Sequence, residues 1–203
     1  MKKLRLPLMV LFVAITSISF SQKIKIEDGD LSFLKGVTEL NVVYDYSNME
    51  VGKFKTEEAY LDKKVSEKNK KEAGTGDKWL ESWNGSRERV YQPKFESLFN
   101  KVLAKKNMTI AEGRTDAKYT LIVKTVFTEP GYNIGISKKP SYVSFEYIFI
   151  ETGTENVLCT LVQFKVPGSQ AAGFDYDTST RISESYAKAG KMLAGFIYKK
   201  IKK

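Results

Sequence analysis

The sequence predicts an α+β fold, a two-layer sandwich in which long helices pack on one face of an antiparallel sheet. Three runs, 119–128, 142–150 and 157–166, alternate apolar and polar residues with a period of two and are rich in β-branched and aromatic side chains. Turns containing Gly or Pro separate them, which indicates an antiparallel meander. Two further segments, 77–106 and 180–201, have apolar residues at helical spacing. An apolar sheet face and two amphipathic helices are the parts of a two-layer sandwich.

The first clear strand in chain order is 40–46. The chain before it contains a polar run, 23–30, that we interpret as a tail or an edge segment, and a short apolar turn at 31–36. Because a long helical segment lies between 40–46 and 119–127, these two strands are predicted to be parallel with a right-handed connection. The residues that alternate on the apolar face of this strand are Leu40, Val42, Tyr44 and Tyr46.

The helical part of the chain starts with a highly charged stretch, 56–71, which predicts a solvated surface helix. A Gly-Thr-Gly sequence breaks it, and Asp77 is a plausible N-cap for the long helix 77–106. Pro93 is expected to kink or restart that helix because its ring removes a hydrogen bond. Residues 108–110 could add a short strand before the meander.

The C-terminal helix, 180–201, ends in a cluster of lysines. Two interpretations of this cluster remain open: a weak contact with anionic lipid headgroups, or a solvated helix end whose charges complement the macrodipole. The cluster consists of Lys199, Lys200, Lys202 and Lys203.

The first 21 residues have the pattern of an export signal. A basic start is followed by an apolar core at 6–15 and by small residues that predict cleavage between Ser21 and Gln22. The apolar core is shorter than the roughly 20 residues that a spanning helix needs, and the junction has no Cys for lipid attachment. We therefore expect a signal peptide, 1–21, and a single domain, 22–203, that is periplasmic or secreted and has no transmembrane segment.

The charge distribution argues against a nucleic-acid partner. The formal net charge is +9. Most of it comes from three basic residues of the signal segment and from the four lysines at the C-terminus. The body of the domain lacks the basic groove with interleaved aromatic residues that nucleic-acid binding requires.

The composition excludes several kinds of catalysis. The chain has no histidine and one cysteine, Cys159, so Ser-His-Asp and Cys-His catalysis, ordinary zinc sites and an internal disulfide are excluded. The carboxylate pairs Asp175/Asp177 and Asp28/Asp30 lack a calcium-loop pattern and are interpreted as a helix cap and a turn. We predict no metal and no cofactor.

One short motif matches a catalytic pattern in part. Ser185-Tyr-Ala-Lys188 matches the S-x-x-K pattern of penicillin-recognising serine enzymes, but the partner motif K-T-G is incomplete. We interpret these residues as the polar edge of an amphipathic helix.

Two irregular loops, 129–140 and 167–177, are the candidate functional site. In a meander both emerge at the same end of the sheet, and loops on a rigid sheet are common binding sites. We therefore predict a non-enzymatic binding or accessory module of the cell envelope that contacts a protein or an envelope component. The alternative is a carboxylate-dependent hydrolase of a cell-wall or glycan substrate, with Asp175, Asp177 and Glu129 as acid and base. The predicted binding residues are Tyr132, Asn133, Lys138, Gln170, Phe174 and Asp175.

Four segments also carry a resemblance to a known group. They are the Ser-Phe-Ser junction before Gln, the Pro-Gly-Tyr-Asn-Ile-Gly loop, the Val-Pro-Gly-Ser-Gln-x-x-Gly-Phe-Asp segment and the Ser-Tyr-Ala-Lys-Ala-Gly-Lys-Met-Leu helix. Together they resemble small exported proteins of unknown function from Bacteroidetes, which implies export but no catalytic residue. The order of elements is similar to α/β modules such as the amino-terminal domain of TolB, an analogy of fold alone.

Overall fold

A mixed sheet forms the centre of the fold. The computed structural model describes residues 23–169 and 177–202, and within them seven strands form one sheet. These strands are β1 Lys25–Gly29, β2 Glu39–Asp45, β3 Glu50–Val51, β4 Thr109–Glu112, β5 Tyr119–Glu129, β8 Tyr142–Glu151 and β9 Val157–Pro167. Their order in the sheet is β1-β9-β8-β5-β2-β4, and β3 pairs with β5. A separate two-stranded hairpin consists of β6 Tyr132–Asn133 and β7 Lys138–Lys139.

The predicted meander is confirmed. Strands β5, β8 and β9 pair antiparallel in sequence order, and their bounds lie within a residue or two of the predicted runs. The alternating residues Leu121, Phe145 and Leu161 are fully buried, so the period of two identified the core face correctly.

The predicted parallel pairing is also confirmed. Strand β2 pairs parallel with β5, where Val42 is opposite Leu121, and also with β4 on its other side. The polar run before it is an edge strand, because β1 pairs with β9. The apolar turn is a 3-10 helix, Ser32–Leu34, that buries Leu34.

The long helix predicted at 77–106 is three consecutive helical segments. These are α2 Thr75–Ser86, a π-helix Arg87–Tyr91 and α3 Gln92–Leu103, which a 3-10 turn Ala104–Lys106 follows. In the π-helix the N–H of Gln92 donates to the carbonyl of Arg87, five residues earlier. The wider turn accommodates Pro93, which has no N–H to continue the α-helical ladder.

The start of α2 corrects one prediction. Asp77 lies in the first turn and is not the N-cap, which is Gly74. Gly76 lies inside the helix and packs closely on the preceding helix, α1 Glu57–Asn69, because a Cβ there would lie 2.4 Å from the carbonyl oxygen of Val65. The Gly-Thr-Gly sequence therefore joins two packed helices.

Helix α1 is also less solvated than predicted. Its charged face does carry the weak pair Lys63–Glu67, at 3.5 Å, but Tyr60 is buried. The ring of Tyr60 lies 5.3 Å from that of Trp83 and 5.7 Å from that of Phe54. Aromatic packing thus attaches α1 to α2.

Helix α4, Thr178–Ile201, covers the sheet together with α3. Its buried residues recur at three- and four-residue spacing, as predicted, and Tyr186 donates to or accepts from Thr125 of β5 at 2.7 Å. No helix in the described ranges combines the length and the hydrophobicity needed to cross a membrane. The buried stripe consists of Ile182, Tyr186, Ala189, Leu193 and Ile197.

The opposite face of the sheet is not covered by a second layer of described residues. Lys124 and Glu146 form an ion pair of 3.4 Å across β5 and β8 on this face. Phe164 is 59% exposed. The half-buried aliphatic residues Ile122, Ile148 and Val162 lie beside the ion pair on the same face.

Candidate functional site

The two predicted loops emerge at the same end of the sheet. Tyr142 at the start of β8 pairs with Glu129 at the end of β5 on one side and with Pro167 at the end of β9 on the other. The N–H of Gly168 donates to the carbonyl of Ser141 at 2.9 Å. The bases of the loops 129–140 and 167–177 are therefore adjacent, as the direction of the strands predicted.

The first loop is a short hairpin. In it Tyr132 pairs with Lys139 and Asn133 pairs with Lys138, so three of the six predicted binding residues come together on one small ladder. The amide oxygen of Asn133 accepts from the N–H of Gly135 at 3.0 Å, which closes the turn. The other three predicted residues, Gln170, Phe174 and Asp175, lie outside the described residues, and their placement stays a prediction.

The tip of this hairpin exposes two aliphatic side chains that the sequence analysis did not select. Ile136 is 98% exposed and Ile134 is 64% exposed, beside Tyr132 at 44%. Scattered single apolar residues are normal on a protein surface, but three on one projecting turn form a patch. The signal in the sequence was the occurrence of two isoleucines in a Gly-rich loop that has no strand pattern to bury them.

A buried carboxylate fixes the base of the hairpin. Glu129 is 7% exposed. One of its oxygens accepts from the N–H of Gly131 at 3.1 Å, and the other pairs with the ammonium of Lys139 at 2.6 Å. The hydrogen bond to Glu129 raises the pKa of Lys139 above its ordinary value. This clamp joins the two ends of the hairpin, so the exposed tip projects from a fixed base.

Arg181 attaches the same hairpin to the start of α4. Its buried guanidinium donates to the carbonyls of Pro130 at 3.3 Å and Gly131 at 3.4 Å, and to the hydroxyl of Thr178 at 2.9 Å. Arg181 is not among the binding residues predicted from the sequence. Its signal was a lone arginine directly before the apolar stripe of α4, where a buried charge needs carbonyl or carboxylate partners.

The two described carboxylates of the hydrolase alternative serve structural roles. Glu129 is held in the clamp, and Asp177 caps α4 by accepting from the N–H of Thr180 at 2.8 Å and from the hydroxyl of Ser179 at 2.8 Å. Partial burial opposes ionisation of Asp177, but these hydrogen bonds lower its pKa below the ordinary value. A general acid needs a raised pKa, so Asp177 is unsuited to that role. The third carboxylate, Asp175, lies outside the described residues.

The S-x-x-K pattern has no catalytic geometry. Ser185 is fully buried, and its hydroxyl does not bond to the lysine. The ammonium of Lys188 donates to the carbonyl of Gly168 at 2.9 Å, and burial lowers its pKa. A substrate cannot reach a serine in this position. The interpretation of these residues as a polar helix edge is wrong for Ser185, which faces the interior. Among the described residues there is also no cluster of three Asp, Glu or Cys side chains that could hold a metal ion.

The chain has a distant structural likeness to one group of solved structures. No protein-family model matches the chain, and no curated protein matches it. Among solved structures, the chain is similar to PelC from Paraburkholderia phytofirmans, a dodecamer, with 14% identity over 85% of this chain and 96% of PelC at a TM-score of 0.38. A variant of the same PelC gives 14% identity, coverage of 84% and 98%, and a TM-score of 0.37. Likeness at this level does not carry function, and the resemblance to exported Bacteroidetes proteins stays a prediction.

Proposed function

We propose that this chain is an exported, non-enzymatic binding module of the cell envelope that contacts a protein partner through the loops 129–140 and 167–177. The observation that supports this function most directly is the apolar hairpin tip, where Ile136 is almost fully exposed. An exposed aliphatic group of this size is unfavourable in water by about 1.5–3 kcal/mol relative to a buried one, and a partner pocket would remove that surface from water.

The anchoring of the tip supports recognition by a preformed surface. The Glu129 clamp and Arg181 fix the base of the hairpin to the sheet and to α4. Binding through a surface that is already ordered loses less conformational entropy than binding through a free loop. Tyr132 and Lys138 add an aromatic contact and a positive charge beside the aliphatic tip, a mixture common at protein interfaces.

The hydrolase alternative has no specific observation in its favour. Both of its described carboxylates are occupied by structural hydrogen bonds, and the open hairpin tip is not a concave site. A glycosidase would need two carboxyl groups about 5–9.5 Å apart around a substrate cleft.

Site-specific photocrosslinking in the native envelope tests the proposal. A photoreactive side chain at Ile136 should give a discrete protein adduct, whereas the same group at Thr154, in the turn at the opposite end of the sheet, should not. Replacing both Tyr132 and Phe174 by Ala should suppress the adduct while the melting temperature changes by only a few degrees. Identical adducts from both positions, or no adduct at Ile136, would refute this binding surface.

A further inference from the structure

The layer formed by α3 and α4 has a strong excess of basic residues. Residues 92–106 and 178–202, which form α3 with its 3-10 turn and α4 with its end, contain ten Lys and Arg against two Glu. Residues 23–91 and 107–177 contain 19 Lys and Arg against 22 Asp and Glu. The positive charge is thus confined to one layer of a protein that is otherwise slightly acidic.

The two acidic residues of this layer pair with only one of its lysines among the described residues. Glu184 pairs with Lys94, and Glu96 accepts a hydrogen bond from the Tyr44 hydroxyl at 3.2 Å on the side that faces the sheet. Within 23–169 and 177–202, no carboxylate lies within 4.0 Å of the ammonium groups of a further set of lysines on this layer. The set consists of Lys101, Lys105, Lys191 and Lys199.

These lysines rim an apolar surface between two parallel helices. Lys94 of α3 meets Glu184 near the start of α4, and the ammonium of Lys106 lies 5.3 Å from the ring centre of Tyr198 near its end, so both helices run in the same direction. Two shallow grooves, of about 490 and 560 Å³, lie between α3 and α4. A third, of about 700 Å³, is lined by α4 and by Lys23 and Ile24 at the start of the described fold. Their apolar lining includes Leu98, Val102, Met192, Phe196 and Tyr198.

The helix macrodipole does not explain this arrangement. Its effect is confined to about the last turn of a helix, which accounts for Lys199 and Lys200 but not for Lys191, almost three turns earlier. Lys23, at the point where the chain enters the described fold, lines the same surface beside Lys188 and Lys191. The macrodipole therefore does not account for the lysines that lie away from the end of α4.

We propose that this lysine-rimmed helical face, formed by α3 and α4, docks on an anionic phospholipid bilayer. Helix α4 is about 36 Å long, so the face can span several headgroups. Lysine side chains place their ammonium groups among phosphates while their alkyl stems lie on apolar surface, and the aromatic Phe196 and Tyr198 suit the interface between headgroups and acyl chains. Each lysine near such a surface contributes about 1 kcal/mol. The apolar floor favours a bilayer over a purely hydrophilic polyanion.

Vesicle co-sedimentation tests this proposal with the chain that starts at Gln22, which contains all of the described fold. We expect binding to phosphatidylcholine vesicles that contain phosphatidylglycerol and none to phosphatidylcholine alone. Raising the salt from about 0.05 M to about 0.5 M should release the protein, because screening shortens the range of the attraction. The fourfold variant Lys101→Gln, Lys105→Gln, Lys191→Gln, Lys199→Gln should bind at least about tenfold more weakly.

A matched variant removes the same charge elsewhere. Lys35, Lys70, Lys71 and Lys78 are exposed residues outside α3 and α4, and changing all four to Gln should leave vesicle binding within about twofold of the parent. Ile136→Ser should also leave it unchanged, which separates this surface from the hairpin tip. Circular dichroism melting of each variant confirms folding.

Three outcomes would overturn the proposal. They are equal weakening in both lysine variants, equal binding to neutral and anionic vesicles, and failure to bind anionic vesicles. Binding to a soluble polyanion such as heparin but not to vesicles would identify the lysine-rimmed helical face as a polyanion site instead of a membrane site.

Discussion

Phe145 and Phe164 lie on neighbouring strands but have opposite environments. Phe145 is fully buried, with its ring 5.0 Å from that of Tyr186 and 5.8 Å from that of Tyr147. Phe164 lies on the exposed face, next to the bulge where Lys165 adopts a positive φ. Burial of the Phe145 ring therefore stabilises the fold, whereas the Phe164 ring remains largely exposed to water.

Changing Phe145 to Asp should prevent folding, because an unpaired carboxylate among aromatic rings cannot be solvated. The loss should exceed about 4 kcal/mol, the upper range for single substitutions. Phe164→Asp is the matched control, and we expect a change within about 0.5 kcal/mol. Urea denaturation of both variants is the measurement, and a cooperative, near-parental transition for Phe145→Asp would show that this face is not the core.

Cys159 should behave as a small apolar core residue. It is fully buried and unpaired, and burial raises the pKa of its thiol to about 11. Ellman's reagent should react with it only after unfolding, and Cys159→Ala should destabilise the protein by about 1 kcal/mol. The melting temperature should not change with dithiothreitol, whereas a clear shift would indicate an intermolecular disulfide.

At the scale of elements, the contact between α3 and α4 depends on the absence of a side chain at one position. A Cβ at Gly190 would lie 2.2 Å from the carbonyl oxygen of Phe95, whereas a Cβ at Gly195, farther along the same helix, would meet nothing within 4 Å. The backbones of the two helices therefore approach each other closely at Gly190, and the helical layer is fixed there.

Gly190→Ala should destabilise the protein by roughly 1–3 kcal/mol, because the methyl group forces the helices apart. Gly195→Ala should instead stabilise it by up to about 1 kcal/mol through helix propensity. Thermal unfolding of the pair checks both signs. If both variants gain stability, the close approach at Gly190 is incorrect.

The cap of α4 gives a prediction about pH. Hydrogen bonds lower the folded-state pKa of Asp177, so its contribution to stability is complete above the unfolded value of about 3.9 and is lost as pH falls through the lower folded value. Asp177→Ala should lower stability by about 0.5–2 kcal/mol at neutral pH, and the difference from the parent should shrink in acid. Asp177→Asn, which also caps, should show less pH dependence; a constant difference for Asp177→Ala between neutral and acidic pH would contradict this role.

At the scale of the whole molecule, export predicts a defined mature product. If, as proposed, residues 1–21 are a signal peptide that is removed, intact-mass analysis of the protein purified from the cell that makes it should give a chain that starts at Gln22. Expression with Lys2, Lys3 and Arg5 changed to Glu should reduce export, because the positive start orients the segment. Recovery of the full 203-residue chain from the native cell would contradict cleavage at this position.

The sheet could be predicted from sequence because its signal is local. Alternation in 119–128, 142–150 and 157–166 defines strand, face and order at once, and the long helical crossover fixes the parallel direction of 40–46. The division of 77–106 into three helical segments was harder to predict from the sequence. Pro93 predicts a disturbance, but whether the chain kinks, restarts or forms a π-turn depends on packing against elements far away in sequence.

The candidate site was predictable in position but not in detail. Strand direction placed the loops 129–140 and 167–177 at one end of the sheet, and the structure agrees at their bases. The roles of Glu129 and Arg181 depend on partners supplied by other parts of the backbone, which no local pattern specifies. The two isoleucines in a Gly-rich loop without a strand pattern are a sequence signal for the exposed tip, but the extent to which Ile136 is exposed depends on the tertiary structure.

The pairing of the first described strand with the last has a consequence for the order of events during synthesis. Strand β1 hydrogen-bonds to β9, with Lys25 opposite Val162 and Gly29 opposite Cys159, so the edge of the sheet that receives β1 does not exist until most of the chain has been made. At elongation rates of roughly 5–20 residues per second this delay is on the order of ten seconds. During that time β1 has no partner strand. The beginning of the chain is therefore available for binding by factors that recognise the nascent chain.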